Sequence, residues 1–268
     1  MNGRLLALLS KGYIQVVLLS VAILAGCMAS PSSDPAPPMH GTQAWSSEGK
    51  QRSMDGSIAV LAHAILFVTD GNVCVSNKAR NVMRLTSSGK DHSPVLSPDG
   101  RSVAFLRKSS NVAYLPASGE ADGDGNRLLA DQVWMVDLGT GKEMLLVADR
   151  MPGEGDVTEE LKKTVGVVSA LCFSPDSRNL YFTTWAWVVS GALHAVDLRT
   201  GTERFVTDAN SVEVVQSGDH AGCLIVRKHK YFLGGGSYDW YWLIDSQGRE
   251  IGLIGEVEGQ VDMFKEMN

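Results

Sequence analysis

The chain of 268 residues contains four cysteines, too few to staple a domain of this size, so a disulfide-scaffold fold is excluded. Charge is also thin: 20% of residues are charged, and 24 Lys and Arg face 30 Asp and Glu for a formal net charge of −6. An acidic balance excludes nucleic acid as the main partner, because phosphate binding needs clustered cations. There is no Gly-x-Ser-x-Gly elbow, no Cys-x-x-Cys pair, no His-Glu-x-x-His and no phosphate loop. The histidines (His40, His63, His92, His194, His220 and His229) are scattered at no ligand spacing, so no resident metal or other cofactor is expected. The apolar stretch from Ile14 to Ala25 carries Gln15 and Ser20 and falls short of the roughly 20 residues that a membrane-spanning helix needs. What is present is a 44% apolar composition, enough for a core of one large or two small domains, which excludes global disorder.

The first 26 residues carry Arg4 and Lys11, no acids, and a short apolar centre, the layout of an export signal. They end in Leu24-Ala25-Gly26-Cys27, which resembles the lipobox of bacterial lipoproteins. That resemblance implies cleavage before Cys27, a diacylglycerol on its sulfur and an N-acyl chain on its new amino group. The Pro/Ser run Ser30-Pro31-Ser32-Ser33-Asp34-Pro35-Ala36-Pro37-Pro38 has nothing to bury, so residues 27–55 read as an extended tether. Met28, where enteric lipoproteins retained at the inner membrane carry Asp, implies export to the outer membrane facing the periplasm. Removing Arg4 and Lys11 takes the charge from −6 to −8, so the hold on the membrane rests on acyl chains rather than charge.

Residues 56–268 show short β-type runs punctuated by Gly, Asp, Asn and Ser, with one helical turn or two expected at 157–163. An internal repeat organises them. The segment Val95-Leu96-Ser97-Pro98-Asp99-Gly100-Arg101-Ser102-Val103-Ala104-Phe105 matches Cys172-Phe173-Ser174-Pro175-Asp176-Ser177-Arg178-Asn179-Leu180-Tyr181-Phe182 position for position. Each copy is followed by a second element, Asp137-Leu138-Gly139-Thr140-Gly141 in one and Asp197-Leu198-Arg199-Thr200-Gly201 in the other. A weaker copy carries Ser217-Gly218-Asp219 and Asp245-Ser246-Gln247-Gly248, and a degenerate one runs over 57–86 with a turn at Asp70-Gly71-Asn72. Pro fixes φ at the first corner, Asp caps the turn and Gly accepts positive φ, so Asp99 and Asp176 read as turn residues rather than an acid–base pair.

This repeat resembles the WD40-like propeller repeat of the TolB family over residues 57–260. It implies an all-β fold, a small β-propeller of about four four-stranded antiparallel blades. The ring is expected to close by pairing residues 260–264 with the first blade, because an open sheet edge invites aggregation; a half-ring completed by a second chain is the alternative.

In such a blade the first and third turns share one face of the disc, and the second turn and the link to the next blade share the other. The tight turns fall on the first face, and the long segments 108–131, 149–164, 184–191 and 228–238 fall on the second, the expected binding face. There Lys228, Lys230, Tyr231 and Phe232 lie outside the strands by pattern and are the candidate contacts for a partner, an acidic protein or lipid head groups, with a solvated hairpin end as the plainer reading. Asp122, Asp124 and Asn126 resemble the start of a calcium loop, but Arg127 stands where Gly is expected and no Glu closes it, so an acidic loop is the better fit. Tyr238, Trp240 and Trp242, like Trp185 and Trp187, alternate on strands and are expected to pack between blades rather than form a sugar platform. Cys74, Cys172 and Cys223 allow at most one bridge and read most simply as buried thiols.

The combined expectation is a lipid-anchored envelope propeller that acts as a non-catalytic protein-interaction module, membrane-bound through Cys27 and partnered by an envelope protein. The alternative is a hydrolase or lyase acting on envelope glycans, which would show carboxylates or histidines converging at the central channel.

Overall fold

The computed structural model describes residues 65–76, 82–116 and 128–267. The expected leader, Cys27, the expected tether and the acidic segment with Asp122, Asp124 and Asn126 lie outside the described residues. Fifteen strands form four antiparallel sheets in chain order, the arrangement of a β-propeller. The first holds β1 (Ile65–Thr69), β2 (Asn72–Ser76) and β3 (Val82–Arg84). The second holds β4 (Asp91–Leu96), β5 (Ser102–Val112), β6 (Leu129–Asp137) and β7 (Glu143–Val147). The third holds β8 (Val168–Phe173), β9 (Asn179–Trp185), β10 (Gly191–Asp197) and β11 (Thr202–Asp208). The fourth holds β12 (Ser211–Val214), β13 (Leu224–Tyr231), β14 (Ser237–Ile244) and β15 (Glu250–Gly255). Three sheets have the expected four strands, and the first has three among the described residues.

The alternation of side chains explains why runs with no polar face are strands. Val103 and Phe105 point to the first sheet, packing with Val73, while Ala104 and Leu106 point to the third, packing with Leu180 and Phe182. Tyr181, between those two, turns to the fourth sheet and meets Leu224, Val226 and Ile244. A central strand is thus buried on both faces, and each fully buried Leu or Phe contributes about 1.5–3 kcal/mol. The first strands of successive sheets, β4, β8 and β12, lie beside one another.

The repeat turns adopt matching geometry. Ser97 Oγ donates to Asp99 Oδ1 at 2.6 Å, and that oxygen accepts the Arg101 N–H at 3.1 Å; Ser174, Asp176 and Arg178 repeat both distances. Gly100 takes φ +70 and its counterpart Ser177 takes φ +57, so the second copy bears the strain of a side chain there. Asp137, Asp197 and Asp245 cap the other set of turns in the same way.

Three expectations are corrected. Residues 260–264 form no closing strand: they belong to helix α2 (Glu258–Met267; α1, Val157–Leu161, lies where the helical pattern predicts and is capped by Asp156). Val261 of α2 seals the outer face of the fourth sheet against Val215, Ile225 and Leu243. Among the described residues no strand pairing joins the fourth sheet to the first. A helix ends the array here because Val261 and Phe264, three apart, face one apolar wall, whereas a strand would turn them to opposite sides. The second correction concerns the Asp70–Gly71 turn. The Gly71 carbonyl accepts the Asp91 N–H at 2.7 Å, which puts this turn at the start of β4, opposite the Ser-Pro-Asp turns. Gly71 is required there, since a Cβ would lie 2.1 Å from the Gly89 carbonyl oxygen.

The third correction is to the long segments. β5 and β6 stay paired out to Val112 and Leu129, and β13 and β14 out to Tyr231 and Ser237. Much of what the pattern reads as loop is hairpin arm extending past its flanking strands.

Candidate functional site

The two ends of the propeller can be told apart by bonds between sheets. At the tight-turn end, Ser177 Oγ accepts the Asp99 N–H at 3.1 Å, and Arg204 donates to the Ser246 carbonyl. At the opposite end, Asn210 joins the roots of two hairpins: its Nδ2 donates to the Val189 carbonyl at 3.0 Å, and its N–H to the Arg227 carbonyl at 2.8 Å. The β9–β10 hairpin tip exposes Val188 and Val189, and the β13–β14 tip exposes Tyr231, Phe232 and Leu233, the last fully. The tight turns at 97–101, 138–142, 174–178, 198–201 and 245–249 expose no large apolar side chain.

Of the four candidate contacts, Lys228, Lys230 and Tyr231 are not loop residues. All three lie in β13, only Phe232 lies beyond it, and Lys228 is 6% exposed. Its Nζ donates to Thr207 Oγ1 at 3.0 Å and to Glu250 Oε1 at 3.1 Å, and stands 3.5 Å from Asp208. Lys230 Nζ reaches the same Glu250 oxygen at 2.7 Å and sits 3.7 Å from the centre of the Trp242 ring. Burial would raise the Glu250 carboxyl, but the two ammonium groups outweigh it and hold its pKa below the usual value. The sequence shows a basic run; the structure shows that Glu250, from a strand 20 residues on, pairs with both lysines, that Asp208 stands beside Lys228, and that Asp239 pairs with Arg227 and His229. No local signal marks the pairing with Glu250.

What remains outward-facing is aromatic and aliphatic. Phe232 lies 4.7 Å from Tyr238, and Tyr238 lies 4.4 Å from Trp240, forming a ladder along the arm. Trp242 below packs into the core between the third and fourth sheets, as expected of it. Trp187 meets Phe205 edge-on at 6.4 Å, whereas Trp185 is exposed. Backbone bonds pin the tip, with Phe232 N–H on the Gly236 carbonyl at 3.0 Å and Gly235 N–H on the Phe232 carbonyl at 3.1 Å. Leu233 therefore stands at the summit of an ordered turn.

A groove between α1 and β11 is lined by Arg150, Lys162, Lys163, Glu203 and Phe205. Its cations are matched locally: Lys162 with Glu159 at 2.6 Å, Lys163 with Glu160 at 2.7 Å and Arg150 with Glu203 at 2.6 Å. Across the second sheet, Asp91 of β4 pairs with Arg107 of β5 at 2.6 Å, and Arg107 with Glu143 of β7 at 2.6 Å. His92 meets Asp131 across 39 residues of sequence, a pairing that spacing alone misses. No group of three or more metal-ligating side chains occurs among the described residues. Cys74, Cys172 and Cys223 are free thiols; only Cys74 is fully buried, the other two being half-buried, and burial pushes Cys172 up to about 12, which keeps it protonated at neutral pH.

No family model matches the sequence, and no curated protein matches it. Solved structures do match in shape. Dipeptidyl peptidase 4 of Porphyromonas gingivalis aligns with 73% of this chain and 31% of its own at 12% identity, with a TM-score of 0.46. The β-propeller domain of the Trilobed protease from Pyrococcus furiosus aligns over 69% and 49% at 14% identity and a TM-score of 0.42, and TolB from Acinetobacter baumannii over 72% and 52% at 11% and 0.34. This chain spans 31% to 52% of the length of these three chains.

Proposed function

We propose that the protein is a lipid-anchored envelope module, held by acyl chains on Cys27 at the outer membrane behind a cleaved signal of 26 residues, with residues 27–55 as tether. It binds an envelope protein through the hairpin tips of its long-loop end. One observation carries the reading: Val188, Val189, Tyr231, Phe232 and Leu233 are exposed on two hairpin tips of the same end, whose hairpins Asn210 links, while the tight turns of the other end expose none. Apolar side chains grouped on one rim mark an interaction site rather than scatter. Their attraction is apolar burial and not charge, because Lys228 and Lys230 are already satisfied by Glu250. Among the described residues, no helix is long and apolar enough to cross a membrane, and the anchor reading rests on Leu24-Ala25-Gly26-Cys27 alone.

Two experiments test the proposal. Cys27→Ala is expected to leave the protein unprocessed and released from membranes; a mature-sized, membrane-bound Ala variant overturns the anchor. For the binding face, Val188→Ser with Phe232→Ser and Leu233→Ser is compared with a control altered at Arg101, Lys142 and Arg199. A partner cross-linked by the wild type and the control, and lost from the tip variant at unchanged melting temperature, supports the face. Equal capture by all three proteins removes it.

A further inference from the structure

Strand β4, the first of its sheet, is broken by a bulge between His92 and Val95, and Ser93 sits in the bulge at φ +52. This conformation disfavours any side chain, and Pro94 pushes the residue before it towards extended backbone, so the sequence opposes the geometry twice. Such held outliers and bulges concentrate where a side chain has to be aimed. What Ser93 is aimed at is a histidine. Its Oγ lies 3.1 Å from His92 Nδ1, while Nε2 of the same ring lies 2.9 Å from Asp131 Oδ1.

Asp131 is 1% exposed and carries two more donors, Lys108 Nζ at 2.8 Å and the Val168 N–H at 3.0 Å. Burial alone would raise its carboxyl, but the bonds from His92, Lys108 and Val168 outweigh it and hold the pKa below the usual carboxylate value. An ionised carboxylate has only lone pairs to offer, so the proton between the two residues belongs to His92 Nε2. In the neutral ring that tautomer leaves Nδ1 as a bare acceptor, and the Ser93 hydroxyl must be its donor. Ser93 is exposed and the His92 side chain is one-third exposed, so both are reachable from solvent while Asp131 is not.

We propose that Ser93 and His92 are a nucleophile and its general base, with Asp131 positioning the base, and that they hydrolyse carboxylic esters. This goes beyond the docking reading and stands on different residues. Ser93 Oγ attacks the ester carbonyl carbon as its proton passes to Nδ1, and the tetrahedral adduct collapses with loss of the alkoxide, which takes that proton. Water, deprotonated by Nδ1, then cleaves the acyl–Ser93 bond and the proton returns to Oγ. Every proton lost at one step is restored at the next, and no oxidant or metal is needed. Esters are the class that this open site suits, because an alkoxide leaves with less help than an amide nitrogen.

The test uses the full chain, a fluorophosphonate probe and p-nitrophenyl acetate. Wild type is expected to form a phosphonyl adduct located by mass spectrometry on Ser93, and to turn over the ester. Ser93→Ala, which changes only an exposed hydroxyl, should abolish labelling and lower turnover at least 100-fold with melting unchanged. His92→Gln should do the same, in line with the about 10²–10⁴-fold that general-base catalysis supplies. Asp131→Asn should lower kcat while leaving KM in place, a split that a purely structural role would not give. A wild type that takes no probe, or a Ser93→Ala variant that labels and turns over like wild type, overturns the proposal.

Discussion

The tight-turn end and the long-loop end are made by the same hairpins, yet they spend their side chains differently. At the first, carboxylates such as Asp99, Asp176 and Asp197 look inward to their own turn and hold backbone N–H groups within a few residues. At the second, Asp131 reaches far, to Val168 and His92. The same long reach is made by Glu203 and Glu250, which open β11 and β15 just past two tight turns and bind Arg150 and His194, and Lys228 and Lys230, respectively. Local capping needs only the turn sequence and leaves the end polar and regular. Long-range pairing ties one strand or sheet to another, and the hairpin tips above it are left free to carry apolar side chains. One end is thus built for regularity, and the other carries both the exposed tips and the Ser93–His92–Asp131 relay.

The sharpest way to break the comparison is to remove one carboxylate from each end. Asp131→Ala leaves Lys108 and the Val168 N–H without their buried partner and is expected to cost about 3–5 kcal/mol in urea unfolding. Asp176→Ala loses a turn cap and should cost about 1 kcal/mol. Equal costs would mean that the ends are not built differently.

Helix α2 packs against the outer wall of the fourth sheet rather than either end, and Val261→Asp places an unpaired charge there. About 2–3 kcal/mol is expected, read as a lowered melting temperature. A smaller loss would show that the wall of Val215, Ile225 and Leu243 tolerates water.

Acid should separate buried long-range pairs from exposed turn caps next, although both have lowered carboxyl pKa values. The pKa values of Asp91, Asp131 and Glu203 are lowered in the folded protein: burial raises each, but hydrogen bonds from Arg107, from His92 and Lys108, and from His194 and Arg150 outweigh it. Their contribution is complete above the unfolded values of about 4 and is lost as pH falls through the lowered folded values. Denaturation midpoints should stay level above about pH 5 and fall below pH 4, and Asp131→Asn should flatten that slope more than Asp176→Asn does. An equal flattening would put the acid sensitivity in the turns.

The smallest expected effect is at the tips. Phe232→Ser with Leu233→Ser removes no buried contact of the core clusters, so stability should change by less than about 0.5 kcal/mol. A loss of 2 kcal/mol or more would show that the β13–β14 tip is packed rather than presented.

Much of the fold was legible because its signals are short-range. Ser-Pro-Asp and Thr-Gly turns declare themselves within five residues, and strand parity then sorts connections to two ends without any coordinates. Where that reasoning failed, a distant partner was deciding. Lys228 reads as a loop cation because nothing nearby is acidic; Glu250, brought alongside by β15, makes it a buried strand residue. Val261 and Phe264 read as a closing strand because the array seemed to need one, and the apolar wall of the fourth sheet instead drew them into a helix. The turn at Asp70–Gly71 matched the others in composition and not in direction, because only its contact with Gly89 and Asp91 fixes which end it occupies.

By itself, then, the sequence determined the repeat, the turn chemistry and the strands buried on both faces, since these follow from φ preferences and side-chain alternation over a few bonds. Tertiary structure alone decided which charges meet, which hairpin tips stay bare and how the last sheet is covered. Those outcomes depend on residues 20 to 53 positions apart being carried into hydrogen-bonding distance, and the energy that selects among them exists only once the sheets have packed.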